Sequence, residues 1–260
     1  MQDTENMQQE AQQQRSRRGI YLLPNMITTA AMFSGFYAIV AAMDGRFEGA
    51  AVAIFIAMIL DGLDGRVARL TNTQSEFGVQ YDSLSDMVSF GLAPALVMYE
   101  WSLQYMASFG WAKFGWLSAF IYTAGAALRL ARFNAQVETA EKNYFKGLPS
   151  PSAAAVMAGL VWIGADHGLA GGDVVYIAFV ISVLMGGLMV SNVRYYSFKE
   201  FDFKNRVPFV GLLVVVLVYV FASIDPPKVL FAGFLLYALS GPVVTLTRIR
   251  RTRAARRRDG

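Results

Sequence analysis

Four aspartates stand out because they occur within long apolar segments. Asp61 and Asp64 are three residues apart, and Asp82 and Asp86 are four residues apart. An ionisable side chain inside a membrane costs at least about 2.5 kcal/mol on insertion scales, so such residues indicate function. Oxygen ligands suit hard divalent cations such as Mg²⁺ or Mn²⁺. Four converging carboxylates could hold two such ions, an arrangement that clamps a diphosphate and assists displacement at phosphorus.

Small residues share the helical phase of these aspartates. At about 100° per residue, Gly65 and Ala68 fall on the face that carries the first aspartate pair. Gly78 falls on the face that carries the second pair. A strip without bulky side chains lets a large ligand approach the backbone. The alternative is a structural role, in which the aspartates pair with Arg66 or Arg69, but it does not explain the glycines.

The composition favours a membrane protein. Of the 260 residues, 55% are hydrophobic and 16% are charged, whereas soluble domains carry about 25% charged residues. The chain has no cysteine, and His167 is its only histidine. Disulfides, thiolate metal sites and a cysteine nucleophile are therefore excluded. An active site has to use carboxylates, hydroxyls, Lys, Arg and metal ions.

Apolar runs long enough to cross a bilayer predict an all-α integral membrane protein with about eight transmembrane helices. The predicted spans are 22–43, 47–70, 81–101, 114–134, 151–166, 173–192, 207–223 and 227–247. Residues 1–18 are polar and then basic, and we expect them to be disordered. Pro24-Asn25 is a plausible helix start. Residues 250–260 form a basic tail.

The distribution of basic residues predicts the orientation. With both termini in the cytoplasm, only Arg46, Lys113 and Lys228 of the 23 Lys and Arg residues fall outside. Cytoplasmic loops of membrane proteins carry such an excess. The arginine-rich tail fits topology and attraction to anionic lipids better than nucleic-acid binding. We therefore expect a protein of the plasma membrane whose site faces the cytoplasm.

The aspartate region resembles the signature of the CDP-alcohol phosphatidyltransferase family, DxxDGxxAR followed after about eight residues by GxxxDxxxD. All eight specified positions match: Asp61, Asp64, Gly65, Ala68, Arg69, Gly78, Asp82 and Asp86. The resemblance implies a catalytic core of six membrane helices, here residues 19–193. Residues 194–249 would add two further helices. It also implies a homodimer that binds divalent cations, Mg²⁺ or Mn²⁺, with two per site.

The resemblance further implies roles for individual residues. Asp61, Asp64 and Asp82 would bind the metal ions, and Asp86 would contact a metal ion and act as general base. The residues expected to bind CDP-diacylglycerol are Asn25, Thr28, Asp61, Gly65, Ala68, Arg69, Gly78 and Asp82. An acceptor hydroxyl would attack the phosphorus that bears diacylglycerol, and CMP would leave.

Two further stretches bear on the acceptor alcohol. Residues 129–134 (RLARFN) close the fourth predicted span, and residues 145–151 (FKGLPSP) open the fifth. Both resemble the membrane-embedded branch of the family that uses L-serine. The serine carboxylate needs a cation. The candidates for serine binding are Arg129, Arg132, Asn134 and Lys146, although each could equally be an ordinary loop residue.

Other functions remain as alternatives. Glycerol 3-phosphate or inositol phosphate could be the acceptor, but a phosphate dianion should require a denser cationic pocket. An ion-coupled transporter lined by carboxylates is a more distant alternative, because the four aspartates cluster at one face instead of following a route. A membrane scaffold would leave the phasing of glycine and aspartate unexplained.

Overall fold

The chain folds almost entirely into helices. The computed structural model describes residues 2–135, 144–196, 217, 220–221 and 223–256. Within them, the α-helices are α1 Gln2–Met43, α2 Phe47–Leu70, α3 Glu76–Asp86, α4 Ala93–Trp101, α5 Ala112–Ala135, α6 Ser150–Asp166, α7 Val175–Val190 and α8 Pro226–Arg256. The 3₁₀ turns Leu103–Phe109 and Gly171–Val174 precede α5 and α7.

Three segments of the described chain are long and apolar enough to cross a membrane. They are Leu22–Met43, Gly171–Val190 and Pro226–Thr245. About 20 apolar helical residues match the thickness of the hydrocarbon core. The prediction of a helical membrane protein is confirmed, whereas the count of eight spans stays a prediction. The predicted seventh span, 207–223, lies almost entirely outside the described residues.

Most predicted spans correspond to observed helices, and α2 coincides with the span 47–70. The third predicted span, 81–101, differs, because α3 begins at Glu76 and not at residue 81. Ser75 caps this helix, and its Oγ accepts a hydrogen bond from the Gly78 N–H at 3.0 Å. A polar first turn of this kind does not register in a hydropathy analysis.

The first helix begins earlier than predicted. Its backbone is helical from Gln2, so the structure differs from the expected disorder of residues 1–18. Gln, Glu, Met and Arg are good helix formers, which accounts for the extension. The predicted helix start at Pro24 is wrong, because α1 continues through this residue. A proline inside a helix removes one backbone hydrogen bond, and in membrane helices neighbouring groups tolerate this loss.

A short β-ribbon departs from the all-α prediction. Strand β1, Tyr144–Lys146, pairs antiparallel with β2, Arg194–Tyr196. The ribbon joins the chain before α6 to the chain after α7. At its end, Gly147 has a φ of +84°, and a Cβ there would lie 2.2 Å from the Met189 carbonyl oxygen. Only glycine can make this turn at such close range.

Small residues allow the helices to approach one another. Ala38, Ala41, Ala50 and Ala57 are fully buried between α1 and α2. Small side chains at helix interfaces are typical of membrane proteins, where packing takes the place of the hydrophobic effect between helices. The packing brings Thr28 of α1 next to Asp64 of α2 and Ser85 of α3.

Candidate active site

The carboxylates of three predicted ligands come together. One oxygen each from Asp61, Asp64 and Asp82 lies within 4.8 Å of the others. The first two come from the C-terminal half of α2, and the third comes from α3. Asp64 is 5% exposed, and the other two are half-buried. The helical phase predicted from the sequence therefore places the carboxylates on facing surfaces.

Thr28 of helix α1 takes part in two hydrogen bonds that support this cluster. The Thr28 hydroxyl donates to Asp64 Oδ2 at 2.6 Å. The Thr28 carbonyl oxygen accepts a hydrogen bond from Ser85 Oγ on α3 at 3.1 Å. One turn of α1 therefore fixes both aspartate-bearing helices.

A cavity of about 260 Å³ adjoins the carboxylates. Its lining includes seven of the eight residues predicted to bind CDP-diacylglycerol, all except Asp61. They are Asn25, Thr28, Gly65, Ala68, Arg69, Gly78 and Asp82. A Cβ added at Gly78 would lie 3.1 Å from Ser75 Oγ and 3.6 Å from Asn25 Oδ1. Glycine at this position therefore leaves space that a side chain would fill.

The sequence analysis missed the loop between α2 and α3. Thr73, Gln74 and Ser75 line the same cavity. The buried Thr73 is held by a hydrogen bond between its hydroxyl and that of Thr71 at 2.7 Å. A loop that joins two helices of a site must border that site. The position of these polar residues between the two halves of the motif could therefore have predicted that they line the cavity.

The carboxylate cluster fits a divalent cation. Asp82 Oδ1 is buried and has no hydrogen-bond partner among the described residues. Buried polar atoms nearly always have a hydrogen-bond partner. A bound ligand would supply the partner that this oxygen lacks. Three carboxylates form the all-oxygen ligand set that hard divalent cations prefer. The residues present therefore suit a metal ion.

Asp86 lies beside this trio and outside it. Its carboxyl group interacts with that of Asp61 at hydrogen-bonding range. Two carboxyl groups at that range share either a proton or a cation. The guanidinium of Arg129 lies within electrostatic range of both groups, and it donates to Ser150 Oγ at 2.8 Å. Arg129 is thus the serine-binding candidate that the structure brings to the carboxylates.

The other three serine-binding candidates have different surroundings. Arg132 donates to the Val190 carbonyl oxygen at 3.2 Å and to Asn192 Oδ1 at 3.1 Å, so it caps the end of α7. Asn134 Nδ2 donates to Ser83 Oγ on α3 at 3.0 Å. Lys146 is exposed in β1. These contacts give Arg132 and Asn134 roles in holding helices.

A purely structural role for the aspartates receives no support from the ion pairs. In the described part of the chain, ion pairs join Arg46 to Asp44, His167 to Asp166 and Lys228 to Asp225. None of them involves the four aspartates, Arg66 or Arg69. Among the described residues, the carboxylates therefore converge without the ion pairs to Arg66 or Arg69 that the structural alternative proposed.

A second cavity, of about 620 Å³, lies at the opposite end of the helices. It is bordered by residues 45–49, 165 and 168–171 together with Trp101 and Tyr105. It contains none of the four aspartates and none of the other predicted site residues. The two cavities thus mark the two ends of the helical bundle.

Comparison with known proteins identifies similar chains. The profile of the family described as CDP-alcohol phosphatidyltransferase matches residues 21–188. A Helicobacter pylori (strain ATCC 700392 / 26695) protein named CDP-diacylglycerol–serine O-phosphatidyltransferase is 34% identical over 220 residues, which are 85% of this chain and 90% of the relative. A protein of the same name from Mycobacterium tuberculosis (strain ATCC 25618 / H37Rv) is 38% identical over 161 residues, 59% of this chain and 54% of the relative. The Saccharomyces cerevisiae protein of that name is 36% identical over 154 residues, 54% of this chain and 53% of the relative.

Proposed function

The chain belongs to the CDP-alcohol phosphatidyltransferase family, and on that premise we propose that it transfers a phosphatidyl group from CDP-diacylglycerol to L-serine. The products are phosphatidylserine and CMP. The observation that best supports this function is the convergence of three carboxylates beside a cavity lined by the family motif. The names of the relatives from three organisms support serine as the acceptor.

The cavity suits the cytidine diphosphate part of the lipid substrate. Arg69 supplies a cation to the lining, and Asn25 and Ser75 supply polar atoms for a nucleotide. Gly65 and Gly78 leave the backbone of two helices accessible. The diacylglycerol chains would extend from this end of the site into the surrounding lipid.

Asp61, Asp64 and Asp82 would hold the divalent cations. Bound Mg²⁺ or Mn²⁺ would neutralise these carboxylates and polarise the diphosphate, and two ions would clamp it as in other two-metal sites. The burial of Asp64 and its hydrogen bond from Thr28 fix one carboxylate in place. Because this carboxylate is already fixed, less conformational entropy is lost when a cation binds.

Asp86 is the residue we assign as general base. It adjoins the trio, so a serine hydroxyl bound there would lie close to the phosphorus. The serine Oγ–P bond forms, the bond from phosphorus to the CMP oxygen breaks, and the hydroxyl proton passes to Asp86. An aliphatic hydroxyl is a poor nucleophile at neutral pH, and a carboxylate base in reach therefore raises the rate.

Arg129 is the residue we assign to the serine carboxylate. It lies within electrostatic range of Asp86 and donates a hydrogen bond to Ser150 at the start of α6. A guanidinium binds a carboxylate through two parallel hydrogen bonds. Serine held in this way would present its hydroxyl toward Asp86.

The membrane arrangement forms part of the proposal. Eight transmembrane helices, six in the core and two after it, would place both termini and the carboxylates at the cytoplasmic side. The excess of basic residues on that side supports this orientation. Assembly as a homodimer is a further expectation, and chemical crosslinking in native membranes would test it.

Release of CMP distinguishes an enzyme from a transporter or a scaffold. Purified protein with CDP-diacylglycerol, a divalent cation and serine should release CMP at a rate that depends on both substrates. A transporter or scaffold would release none. Absence of CMP release with every acceptor and both metal ions would contradict the proposed chemistry.

A further inference from the structure

The helix that carries Asp82 and Asp86 continues into α4 through a wide turn. Residues Met87–Leu92 are π-helical, and the Ala93 N–H donates to the Val88 carbonyl oxygen, five residues earlier. Such a turn holds one residue more than an α-helical turn, and one residue corresponds to about 100° of rotation. The turn therefore sets the direction in which the two aspartates point relative to α4.

Helix α4 is fixed by the core, whereas α3 is not. In α4, Ala93, Val97, Met98 and Trp101 are at most 3% exposed. In α3, Ser85 is the buried residue. A change in the turn would therefore rotate α3, because rotation of α4 would expose its apolar side chains. The position of Asp86, next to the turn, depends on what holds the turn in shape.

Pro94 and Tyr122 account for the shape of this turn. A proline has no backbone N–H, and its ring crowds the carbonyl group four residues earlier. That carbonyl belongs to Phe90, within the π-helical turn. The hydroxyl of Tyr122, on α5, donates to it at 2.9 Å, and both residues are fully buried. Tyr122 thus supplies the donor that Pro94 lacks, as groups on neighbouring helices do at prolines in membrane helices.

The same arrangement occurs at Pro242 in α8. The hydroxyl of Tyr195 donates to the carbonyl oxygen of Ala238, four residues before this proline, at 2.9 Å. Tyr195 is also buried. Helix α8 remains α-helical there and carries none of the four aspartates. The two tyrosines therefore form equivalent bonds, and only one of them lies on a carbonyl close to a site carboxylate.

We propose that Tyr122 is a positioning residue, whose hydroxyl holds the π-helical turn and thereby sets the reach of Asp86 toward the acceptor hydroxyl. The inference rests on the proposed function, because it takes Asp86 as the general base. It gives a role in catalysis to a residue of α5 that lies outside the sequence motif. The role concerns the rate of the chemical step and not the binding of either substrate.

The test compares Tyr122→Phe with Tyr195→Phe in the purified full chain. Each substitution removes one hydroxyl and leaves one buried carbonyl without its donor, so both should lower the midpoint of thermal unfolding. In Tyr122→Phe we expect kcat for CMP release to fall by roughly 10- to 100-fold, as misplacement of a reacting group does. The KM for each substrate should stay close to the wild-type value. Tyr195→Phe should keep the wild-type kcat, and equal kcat values in the two variants would overturn the inference.

A second substitution separates geometry from stability. Pro94→Ala, added to Tyr122→Phe, restores a backbone N–H that can bond the Phe90 carbonyl oxygen in α-helical geometry. The thermal midpoint should recover, because the carbonyl regains a donor. We expect kcat to stay low, because an α-helical turn does not give α3 the rotation that the π-helical turn gives. Recovery of kcat together with the midpoint would show that Tyr122 acts on stability alone, and would contradict the proposed role.

A double-mutant cycle with Asp86→Asn identifies the residue through which Tyr122 acts. In the Asp86→Asn background, Tyr122→Phe should have little further effect on the residual rate. An equal loss in both backgrounds would show that the tyrosine does not act through Asp86. The same assays separate this inference from the proposed function. An active wild type with an unaffected Tyr122→Phe variant would contradict only the role of Tyr122, whereas a wild type that releases no CMP would contradict the proposed function and this role with it.

Discussion

Asp82 shows at the scale of a single residue how this site is built for a ligand. Its Oδ1 is buried without a partner in the described structure, while the neighbouring Asp64 accepts a hydrogen bond from Thr28. Leaving a buried acceptor unpaired costs about 1–3 kcal/mol. A bound cation would remove that cost. The protein therefore should gain stability when the metal site is filled.

We expect Asp82→Asn to lower metal affinity and activity together. An amide is neutral and cannot offset a divalent charge, so the loss should exceed the roughly 10- to 100-fold caused by changing residues that only support metal ligands. Chelation of wild type should abolish turnover, and Mg²⁺ or Mn²⁺ should restore it. The thermal midpoint of the wild type should rise with added metal, and that of Asp82→Asn should rise less. Full turnover in excess chelator would contradict the metal site.

Asp86→Asn should separate catalysis from binding. Loss of a general base typically lowers the rate by roughly 10²- to 10⁴-fold. The trio remains intact in this variant, so affinity for CDP-diacylglycerol should change little. Asp44→Asn, an exposed aspartate paired with Arg46 at the other end of the helices, is the control and should be fully active. If Asp86→Asn instead loses lipid binding and keeps its rate at saturating substrate, Asp86 is a ligand and not the base.

Spacing predicted the carboxylate trio because a helix converts sequence intervals into a common face. Spacing did not predict which basic residues lie near the carboxylates. Arg129 and Arg132 are three residues apart on α5, yet Arg129 donates to Ser150 at the start of α6 and Arg132 caps the end of α7. The partner of each depends on where α6 and α7 lie, which is a property of tertiary packing and not of local sequence.

Among the elements, the segment after Asp86 has the most unusual geometry. Residues Met87–Leu92 form a π-helical turn between α3 and α4. Such turns are rare and frequently occur at functional sites. The hydroxyl of Tyr122 on α5 donates to the Phe90 carbonyl oxygen within this turn. The wider turn is thereby held next to the carboxylate that we assign as base.

Gly35→Ala should disturb this turn. A Cβ at Gly35 would lie 2.6 Å from the Ser89 Cα, so α1 and the turn could no longer approach. Overpacking of this kind costs typically 1–3 kcal/mol, and we expect a lower thermal midpoint and reduced kcat. Gly49→Ala, where nothing lies within 4 Å, is the matched control and should behave as wild type. Equal midpoints for the two variants would show that the contact is not tight.

Element boundaries were predictable where hydropathy changes sharply, as at both ends of α2. They were not predictable where polar residues continue a helix, as in α1 before residue 22 and in the first turn of α3. The β-ribbon was also missed, because each strand has three residues and the pairing joins positions about 50 residues apart in the chain. Short strands with distant partners leave too little periodicity to detect.

At the scale of the whole molecule, the polar features separate to the two ends of the helices. One end holds the carboxylates and the motif-lined cavity, and the other holds the 620 Å³ cavity and the loops around Gly45 and Leu169. Helices that alternate in direction produce this separation. The basic residues follow it, because Arg69, Arg132 and Lys146 belong to the carboxylate end. Orientation in the membrane can therefore be tested at one position on each end.

Cysteine labelling suits this chain because the wild type has no cysteine. Leu169→Cys, at a position 46% exposed in the loop after α6, should react with a membrane-impermeant maleimide on intact cells. Gln74→Cys, in the exposed loop between α2 and α3, should react only after permeabilisation. The unmodified chain serves as the control for background labelling. The reverse pattern would contradict a cytoplasmic active site.

The central claim is that this chain joins serine to a phosphatidyl group, and a panel of acceptors tests it most directly. Purified protein would be supplied with CDP-diacylglycerol, Mg²⁺ or Mn²⁺, and radiolabelled serine, glycerol 3-phosphate or inositol phosphate in turn, and the label in extracted lipid would be measured. We predict label in lipid with serine, in equal amount to the CMP released, and little with the phosphate-bearing acceptors. Label incorporated from glycerol 3-phosphate or inositol phosphate, with none from serine, would contradict the account.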